Sequence, residues 1–403
     1  MRFHLRVMDL SDPKRARAEL EAVGADPAGV GKMLQKAGYL ALRASAVRSP
    51  GANILKQEAL SVGAEAAVAR GVINCSIDHT DVLILGTRKQ LRALVRKLRP
   101  QPFSLKILAE EIEALLANLD RAFDVPWSGG VLHLSTRPHV MGVLNVTPDS
   151  FSDGGDHFDR EAALDRALQM VEEGADIVDV GGESTRPGSD PVPPEVELAR
   201  IVPILEFLAP RLKVPLSVDT YRADVAERAV GAGASMVNDI SGLRADPEMA
   251  AAVARSGASV VLMHMRGTPK TMQTDTTYVD LVGEVSLGLE ESAEAALAAG
   301  VPRNRIILDP GIGFGKSAQG NLELLARGAE LRSLGFPILV GASRKSFIGK
   351  LLGAENPKDR LEGSLAAAVV ALWNGAHILR VHDVRASRRA LDLTWAMRTA
   401  ASG

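Results

Sequence analysis

"HVMGVLNV", residues 139–146, is apolar almost throughout and ends on an amide and a valine before a polar loop begins. Alone, so short a run fits either a strand buried on both faces or a piece of buried helix. The residues after it decide between the two. A loop rich in Gly, Ser and Asp leads to "REAALDRALQMVEEG" (160–174), which is apolar at helical spacing, and then to a second short run, "DIVDVGG" (176–182). Strand, loop, amphipathic helix and strand is the unit of a parallel sheet.

The same phrase recurs down the chain. Further strands are expected at "PLSVDT" (215–220), "SMVNDI" (235–240), "SVVLMHM" (259–265), "RIILDPG" (305–311), "PILVGAS" (337–343) and "HILRVHD" (377–383). Helical patterns such as "YRADVAERAVGAG" (221–233) and "YVDLVGEVSLGLEESAEAALAAG" (278–300) lie between them. Eight strand–helix repeats in about 260 residues match a (β/α)8 TIM barrel. A doubly wound sheet seldom needs eight uninterrupted units, and no dinucleotide glycine fingerprint is present. The expected fold is α/β: a barrel over residues 131–403, preceded by a smaller α+β domain over residues 1–130.

In that first domain the patterns predict helices near 13–22, 27–42, 87–98 and 104–120, and strands at "VINCSI" (72–77) and "DVLILG" (81–86). "VPWSGG" (125–130) reads as a linker by its Pro, Gly and Ser. "VLHLSTRP" (131–138) reads as a short hairpin plugging the barrel floor. The basic run "RKQLRALVRKLR" (88–99) reads as a solvated helix face, since the acidic "AEEIEALLANLD" follows closely. No catalytic constellation is visible before residue 131, so an interaction, dimerisation or stabilising role is expected there.

The bulk properties narrow the function. The chain has 403 residues, 46% of them AVILMFWYC and only 4% aromatic, so small aliphatics must build a large core. A net charge of −2 offers no electrostatic case for nucleic acid or an anionic membrane as the main partner. The single cysteine, Cys75, excludes an intrachain disulfide framework and fits a reducing cytoplasm; it reads as a small buried hydrophobe. The first residues carry charges throughout and show no signal-peptide pattern. The longest apolar run, "LAAAVVALW" (365–373), is far short of the ~20 residues that span a bilayer.

The strand ends carry the chemistry. Asn145, Glu183, Asp219, Asn238 with Asp239, His264, Asp309, Ser343 and His382 all close a predicted strand. In a barrel that rim holds the active site. One such residue is ordinarily a helix cap, but a whole rim of them argues for a site. Asn145 and Asp153, flanking "NVTPDSFSDGG" (145–155), are hard oxygen ligands suited to Mg2+. Thr185 and Arg186 in "GGESTRPGS" (181–189) suit an anion, the Arg as a planar fork for phosphate or carboxylate.

"GASRKSFIG" (341–349) places Ser346 and neighbouring amides at a helix start beside Lys345, and "LRVHDV" (379–384) points Arg380 and His382 the same way. Together they form a phosphate-type site after strands seven and eight. Asp219, Asn238 and Asp309, set deeper, suit a flat heterocycle with several N–H donors, an amino group and a ring carbonyl for Lys345. "LDPGIGFGKS" (308–317) is not a nucleotide P-loop. The glycine that motif requires falls on Pro310, so Gly311, Gly313 and Gly315 are read as letting the chain turn beside Asp309.

"LNVTPDSFSDGG", "GGESTRPGS", "SVDT", "VNDISG", "MHMRGTP", "LDPGIGFGKS", "SRKSFIG" and "RVHDV" stand in that order, and together they resemble the dihydropteroate synthases over residues 138–399. The resemblance implies a pterin-binding barrel, usually a homodimer, in folate biosynthesis. Such enzymes join 6-hydroxymethyl-7,8-dihydropterin diphosphate to 4-aminobenzoate and release diphosphate, using Mg2+. It further implies that Asp219, Asn238, Asp309 and Lys345 bind the pterin, with Met263 and Phe314 lining its pocket. Asn145 and Asp153 would hold Mg2+; Thr185, Arg186, Arg380 and His382 the diphosphate; Ser346 and Phe151 the aminobenzoate. Arg186, Lys345, Arg380 and His382 would be the catalytic members. Two rivals share the barrel. A corrinoid methyltransferase has no need for the clamp of Arg186, Arg380 and His382, and a pterin-binding regulator has no need for a metal loop.

Overall fold

A computed structural model describes residues 6–146, 160–183 and 192–400. They fall into two compact units, Met1–Asp120 with Met397–Gly403, and Arg121–Ala396.

In the first unit, α1 (Pro13–Ala22) and α2 (Pro27–Ala37) each begin with an Asp that caps the helix and a Pro at its first position. Gly38 ends α2, and Tyr39–Arg48 is strand β1, where the helical pattern predicted a helix running on to residue 42. The alternation in "YLALRASAVR" is the signal: Leu40, Leu42 and Val47 pack on the unit's core. Helix α3 (Ser49–Ser61) follows, and then β2 (Glu65–Ala67). The strand expected at 72–77 is instead a short 3-10 turn, Arg70–Val72, followed by Cys75 with φ +52. That left-handed backbone cannot continue a ladder, and Cys75 is exposed rather than buried. β3 (His79–Thr87) pairs antiparallel with both β1 and β2.

Thr87 and Gln90 then form a capping box for α4 (Arg88–Leu98), and α5 (Leu105–Asn118) closes the unit. The basic run on α4 is a solvated face, as expected. Leu91, Leu94, Val95 and Leu98 are buried, while Arg88, Lys97 and Arg99 pair with Asp120, Glu58 and Glu113.

The second unit opens with a hairpin, β4 (Asp124–Trp127) and β5 (Gly130–His133). "VPWSGG" is therefore the hairpin's own strand and turn, not a linker. The barrel strands are β6 (His139–Asn145), β7 (Ile177–Gly181), β8 (Leu216–Asp219), β9 (Met236–Asp239), β10 (Ser259–Met263), β11 (Ile306–Asp309), β12 (Leu339–Val340) and β13 (Ile378–Val381). All pair in parallel, in the order β11-β10-β9-β8-β7-β6-β13-β12, and a parallel bridge from Leu308 to Ile338 joins the two ends.

Helices α6 (Arg160–Glu172), α7 (Pro194–Leu208), α8 (Ala223–Gly231), α9 (Met249–Ser256), α10 (Leu281–Ala298), α11 (Ala318–Ala326), α12 (Ser346–Leu352), α13 (Leu361–Trp373) and α14 (Val384–Ala400) follow the strands in turn, with α12 and α13 both between β12 and β13. Their apolar faces cover the outward strand residues, such as Val178, Val218, Val237, Leu262, Leu308 and Leu379. The hairpin fills the barrel floor: Val125, Leu132 and Leu134 pack with Met141, Ile177, Met236, Val261, Ile307, Leu339 and Ile378. Ser259 donates to the Pro126 carbonyl at 3.2 Å, tying the plug to β10.

A chain beginning at Arg121 is expected to keep this plug, whereas one beginning at Val131 loses Phe123, Val125 and Trp127. Each buried apolar side chain of this size is worth about 1.5–3 kcal/mol, so the shorter chain should be at least ~3 kcal/mol less stable to urea. Equal stabilities for the two chains would contradict the plug.

Candidate active site

Period-two alternation turns the plug into a map of the site. Two residues beyond Ile177, Met236, Val261, Ile307 and Ile378, on the same inward face, stand Asp179, Asn238, Met263, Asp309 and Arg380. β8 adds Ser217 and Asp219. An apolar layer at the floor thus gives way, one step up most of these strands, to a polar one, with Met263 the apolar exception.

Arg380 holds that polar layer together. Its Nε lies 2.7 Å from Asp179 Oδ2 and its Nη2 2.7 Å from Asp219 Oδ2. Asn238 donates to the same Asp179 oxygen at 3.1 Å. One guanidinium thus serves two buried carboxylates. Burial pushes the Asp219 carboxyl up to about 7; Arg380 opposes the rise, and the neighbouring Asp179 charge adds to it. Asp179 Oδ1, Asp219 Oδ1 and Ser217 Oγ, all buried, have no hydrogen-bond partner among the described residues. A buried polar atom left unpaired costs about 1–3 kcal/mol. Three in one layer mark a place built for a ligand with N–H groups to offer.

Asp309 ends β11. Its Oδ1 accepts the Gly311 N–H at 2.7 Å, and burial raises its pKa against the pull of Lys345 and of that amide. Gly311, Gly313 and Gly315 all have positive φ, as expected. At Gly311 a Cβ would lie 2.0 Å from the His264 carbonyl oxygen, so only glycine fits. The turn delivers Phe314 to a small cluster of Ile240, Met263, Met265 and Met272. Lys345 Nζ sits 4.4 Å from the Phe314 ring centre and donates to the Ile312 carbonyl. Burial lowers Lys345 to about 8, with Asp309 opposing and Arg380 adding to the effect.

Around the mouth, His382 Nδ1 lies 3.1 Å from Ser343 Oγ, and the Arg344 guanidinium grips both oxygens of Asp383, joining the loops after β12 and β13. Ser346 is exposed at the first position of α12, and Asn145 is half-buried at the end of β6. Three strand-end residues have structural tasks. Asp239 accepts from the amides of Ser241 and Leu243 and from the Ser241 hydroxyl. Glu183 binds Arg222 at 2.7 Å and Tyr221 at 2.9 Å. His264, lowered to about 3 chiefly by burial, binds Lys316. Phe151, Asp153, Thr185 and Arg186 lie outside the described residues.

The structure therefore brings Asp219, Asn238, Met263, Asp309, Phe314, Lys345 and Arg380 to one mouth and adds Asp179, Ser217 and Lys316. Asp179 had a readable signal: an acid inside a buried strand, in step with the polar strand ends. A planar, nitrogen-rich ring fits this arrangement, with carboxylates for its donors, Lys345 for an acceptor, and Met and Phe against its face.

The family model described as pterin binding enzyme matches residues 141–382. A dihydropteroate synthase of Synechocystis sp. is 51% identical over 262 residues, which is 64% of this chain and 91% of that protein. Two solved structures of the Xanthomonas albilineans dihydropteroate synthase superpose well. One, with 4-aminobenzoic acid, is 47% identical, covers 69% of this chain and 99% of that one, and has a TM-score of 0.65. The other, in complex with 7,8-dihydropteroate, is 46% identical, covers 68% and 98%, and has a TM-score of 0.62. A probable bifunctional folylpolyglutamate synthase/dihydropteroate synthase of Halobacterium salinarum is 40% identical over 395 residues, 98% of this chain but 47% of that protein.

The Asp219 carboxyl gives the site a pH signature. Its folded pKa of about 7 lies above the ~3.9 of an unfolded Asp, so its contribution to stability is full below about pH 4 and lost as pH rises through about 7. Asp219→Asn is expected to flatten that fall by roughly 1 kcal/mol or more in unfolding titrations between these pH values. An unchanged slope would remove Asp219 as its source.

Proposed function

The chain belongs to the pterin binding enzyme family and acts as a dihydropteroate synthase, a transferase, and on that premise we propose how its residues do the work. The substrates are 6-hydroxymethyl-7,8-dihydropterin diphosphate and 4-aminobenzoate. The observation that carries the assignment of roles is the buried polar layer with its unpartnered Asp179, Asp219 and Ser217 atoms.

In this reading Asp219, Asn238 and Asp309 accept the ring N–H and amino hydrogens of the pterin, and Lys345 donates to its carbonyl. Met263 and Phe314 hold the ring's apolar face. Asp179 keeps Arg380 in place. Arg380 Nε and Nη2 are engaged by carboxylates; its side chain stays 22% exposed, so Nη1 is the nitrogen offered to the diphosphate. His382, Thr185 and Arg186 complete that anion site, and Ser346 and Phe151 contact 4-aminobenzoate. The bond between the pterin methylene and the diphosphate oxygen breaks with its electron pair leaving on diphosphate. The amine lone pair forms the new C–N bond, and the amine proton passes to diphosphate or water. The carboxylates favour positive charge on the ring as the anion departs, and the cations favour the departing oxygens.

Mg2+ is the proposed metal. The amide oxygen of Asn145 lies 3.7 Å from where a Cβ on Gly181 would sit, a space that glycine leaves open beside a hard oxygen. That donor chemistry fits Mg2+, with Asp153 as a further ligand. When bound, the ion draws charge from diphosphate oxygens.

A cytoplasmic homodimer is proposed as well. Cys75, unpaired and exposed, suits a reducing compartment, and no helix among the described residues is long and apolar enough to cross a membrane. The first unit is proposed as an interaction or stabilising domain. The Halobacterium alignment spans nearly the whole chain, so that relative carries a segment similar to this unit ahead of its barrel.

Diphosphate release should require both substrates together. Asp309→Ala should weaken pterin binding roughly 5- to 150-fold, the worth of about 1–3 kcal/mol for a buried donor left unpaired. Calorimetry showing unchanged pterin affinity would remove Asp309 from the pocket. Absence of diphosphate release from the wild type would overturn the assignment.

A further inference from the structure

Lys316 is almost fully buried, at 2% exposure, yet the proposed chemistry gives it no task. Its Nζ lies 2.9 Å from the Phe314 carbonyl oxygen, 3.0 Å from the His264 carbonyl oxygen and 3.1 Å from His264 Nδ1. An ammonium has three hydrogens, and here each has an acceptor. Burial, with the nearby Lys316 charge, keeps His264 neutral, and burial lowers Lys316 itself to about 7 against the pull of Asp309, so below that pH the ammonium is the donor and His264 Nδ1 the acceptor.

We propose that Lys316 is a positioning residue for pterin recognition, fixing the loop after β11 against the end of β10 so that Phe314 and Lys345 meet the ring. The inference rests on the pterin reading of the site.

The geometry explains why one residue would have this reach. His264 directly follows β10, and its N–H donates to the Asp309 carbonyl at 2.9 Å, so it is anchored to the strand that carries the ligand carboxylate. Phe314 sits in a turn made by three glycines, and its own N–H reaches only within that turn, to the Gly311 carbonyl at 3.0 Å. The neighbouring Gly313 N–H is held by Asn321 Oδ1 at 2.5 Å. Gln273 donates to the Gly313 carbonyl at 3.3 Å and the Tyr278 hydroxyl to the Gly315 carbonyl at 3.0 Å, and Lys316 is the side chain that holds the Phe314 carbonyl itself to His264. The Phe314 ring then faces Lys345 Nζ, which also donates to the carbonyl of Ile312 in the same loop. Release of the Phe314 carbonyl therefore disturbs both the face that packs on the ring and the cation aimed at its carbonyl. The diphosphate side of the mouth, built on β13 and the Arg344–Asp383 pair, shares none of these bonds.

The test compares two ligands on the full-length protein: a pterin lacking the diphosphate, and inorganic diphosphate with Mg2+. Lys316→Met, similar in length but without charge or donors, is expected to weaken the pterin at least about tenfold, the low end for a lost charge-assisted hydrogen bond. Diphosphate affinity should stay within about twofold, and KM for the pterin substrate should rise more than kcat falls. A second pair of variants serves if that protein does not fold. His264→Asn keeps an acceptor near the Nδ1 position and should bind the pterin nearly as the wild type does, whereas His264→Leu removes it and should bind selectively more weakly. Equal pterin affinities for wild type and Lys316→Met, parallel losses for both ligands, or indistinguishable His264 variants would each overturn the proposal. Failure of the wild type to bind any pterin would instead overturn the reading of the site on which it stands.

Discussion

Arg380 lies between two carboxylates inside the mouth of the barrel, and the polar layer is held by that placement. Asp179 and Asp219 project inward from neighbouring strands, and without a cation between them two negative charges would share one buried space. Arginine suits the position better than lysine because its fork reaches both oxygens at once and stays charged. The triad also explains why Asp219 is only partly committed to ionisation: one guanidinium is divided between two partners, and burial does the rest.

The remainder of the site is arranged about that triad by the barrel's own geometry. The hairpin plug supplies an apolar floor, so that the first layer of inward residues needs no polar partner. One step up, β7, β9, β11 and β13 exchange an apolar residue for Asp179, Asn238, Asp309 and Arg380, groups that can meet a ligand. Unpartnered oxygens on Asp179 and Asp219 are tolerable in such a layer only as part of a binding site. The glycine turn after β11 adds the apolar wall, and its sharpness follows from Gly311, where a side chain would collide with the His264 carbonyl. Rigid strands thus fix the charged groups, while turns bring up the residues that pack on a flat ring.

Much of this is legible in the sequence, for a physical reason. Parallel barrel strands are buried on both faces and read as short apolar runs, so all eight emerge within a few residues of their bounds. The polar strand ends emerge with them. Elsewhere local pattern is overruled by pairing. Tyr39–Arg48 begins inside a stretch that reads as helix, although its alternation fits a strand, and the stretch at 72–77 fails as a strand because Cys75 turns left-handed. "VPWSGG" has a linker's composition, but Val125 is buried in the floor. Asp179 escapes a search of strand ends because it is an acid in mid-strand. Lys316 reads in sequence only as part of a glycine-rich loop, and burial in a hydrogen-bonded clamp leaves no mark in a one-dimensional pattern.

Whether Arg380 is what makes two buried carboxylates tolerable can be measured in a stability cycle. It comprises wild type, Arg380→Met, the double variant Asp179→Asn with Asp219→Asn, and all three changes together, each followed by urea unfolding at neutral pH. Removing Arg380 from the native site should cost about 3–5 kcal/mol, because it strands buried charge. With both carboxylates already neutral, the same change should cost at least about 1–3 kcal/mol less. Equal costs in the two backgrounds would show that the three side chains do not act as a unit, and would contradict the role given to Arg380.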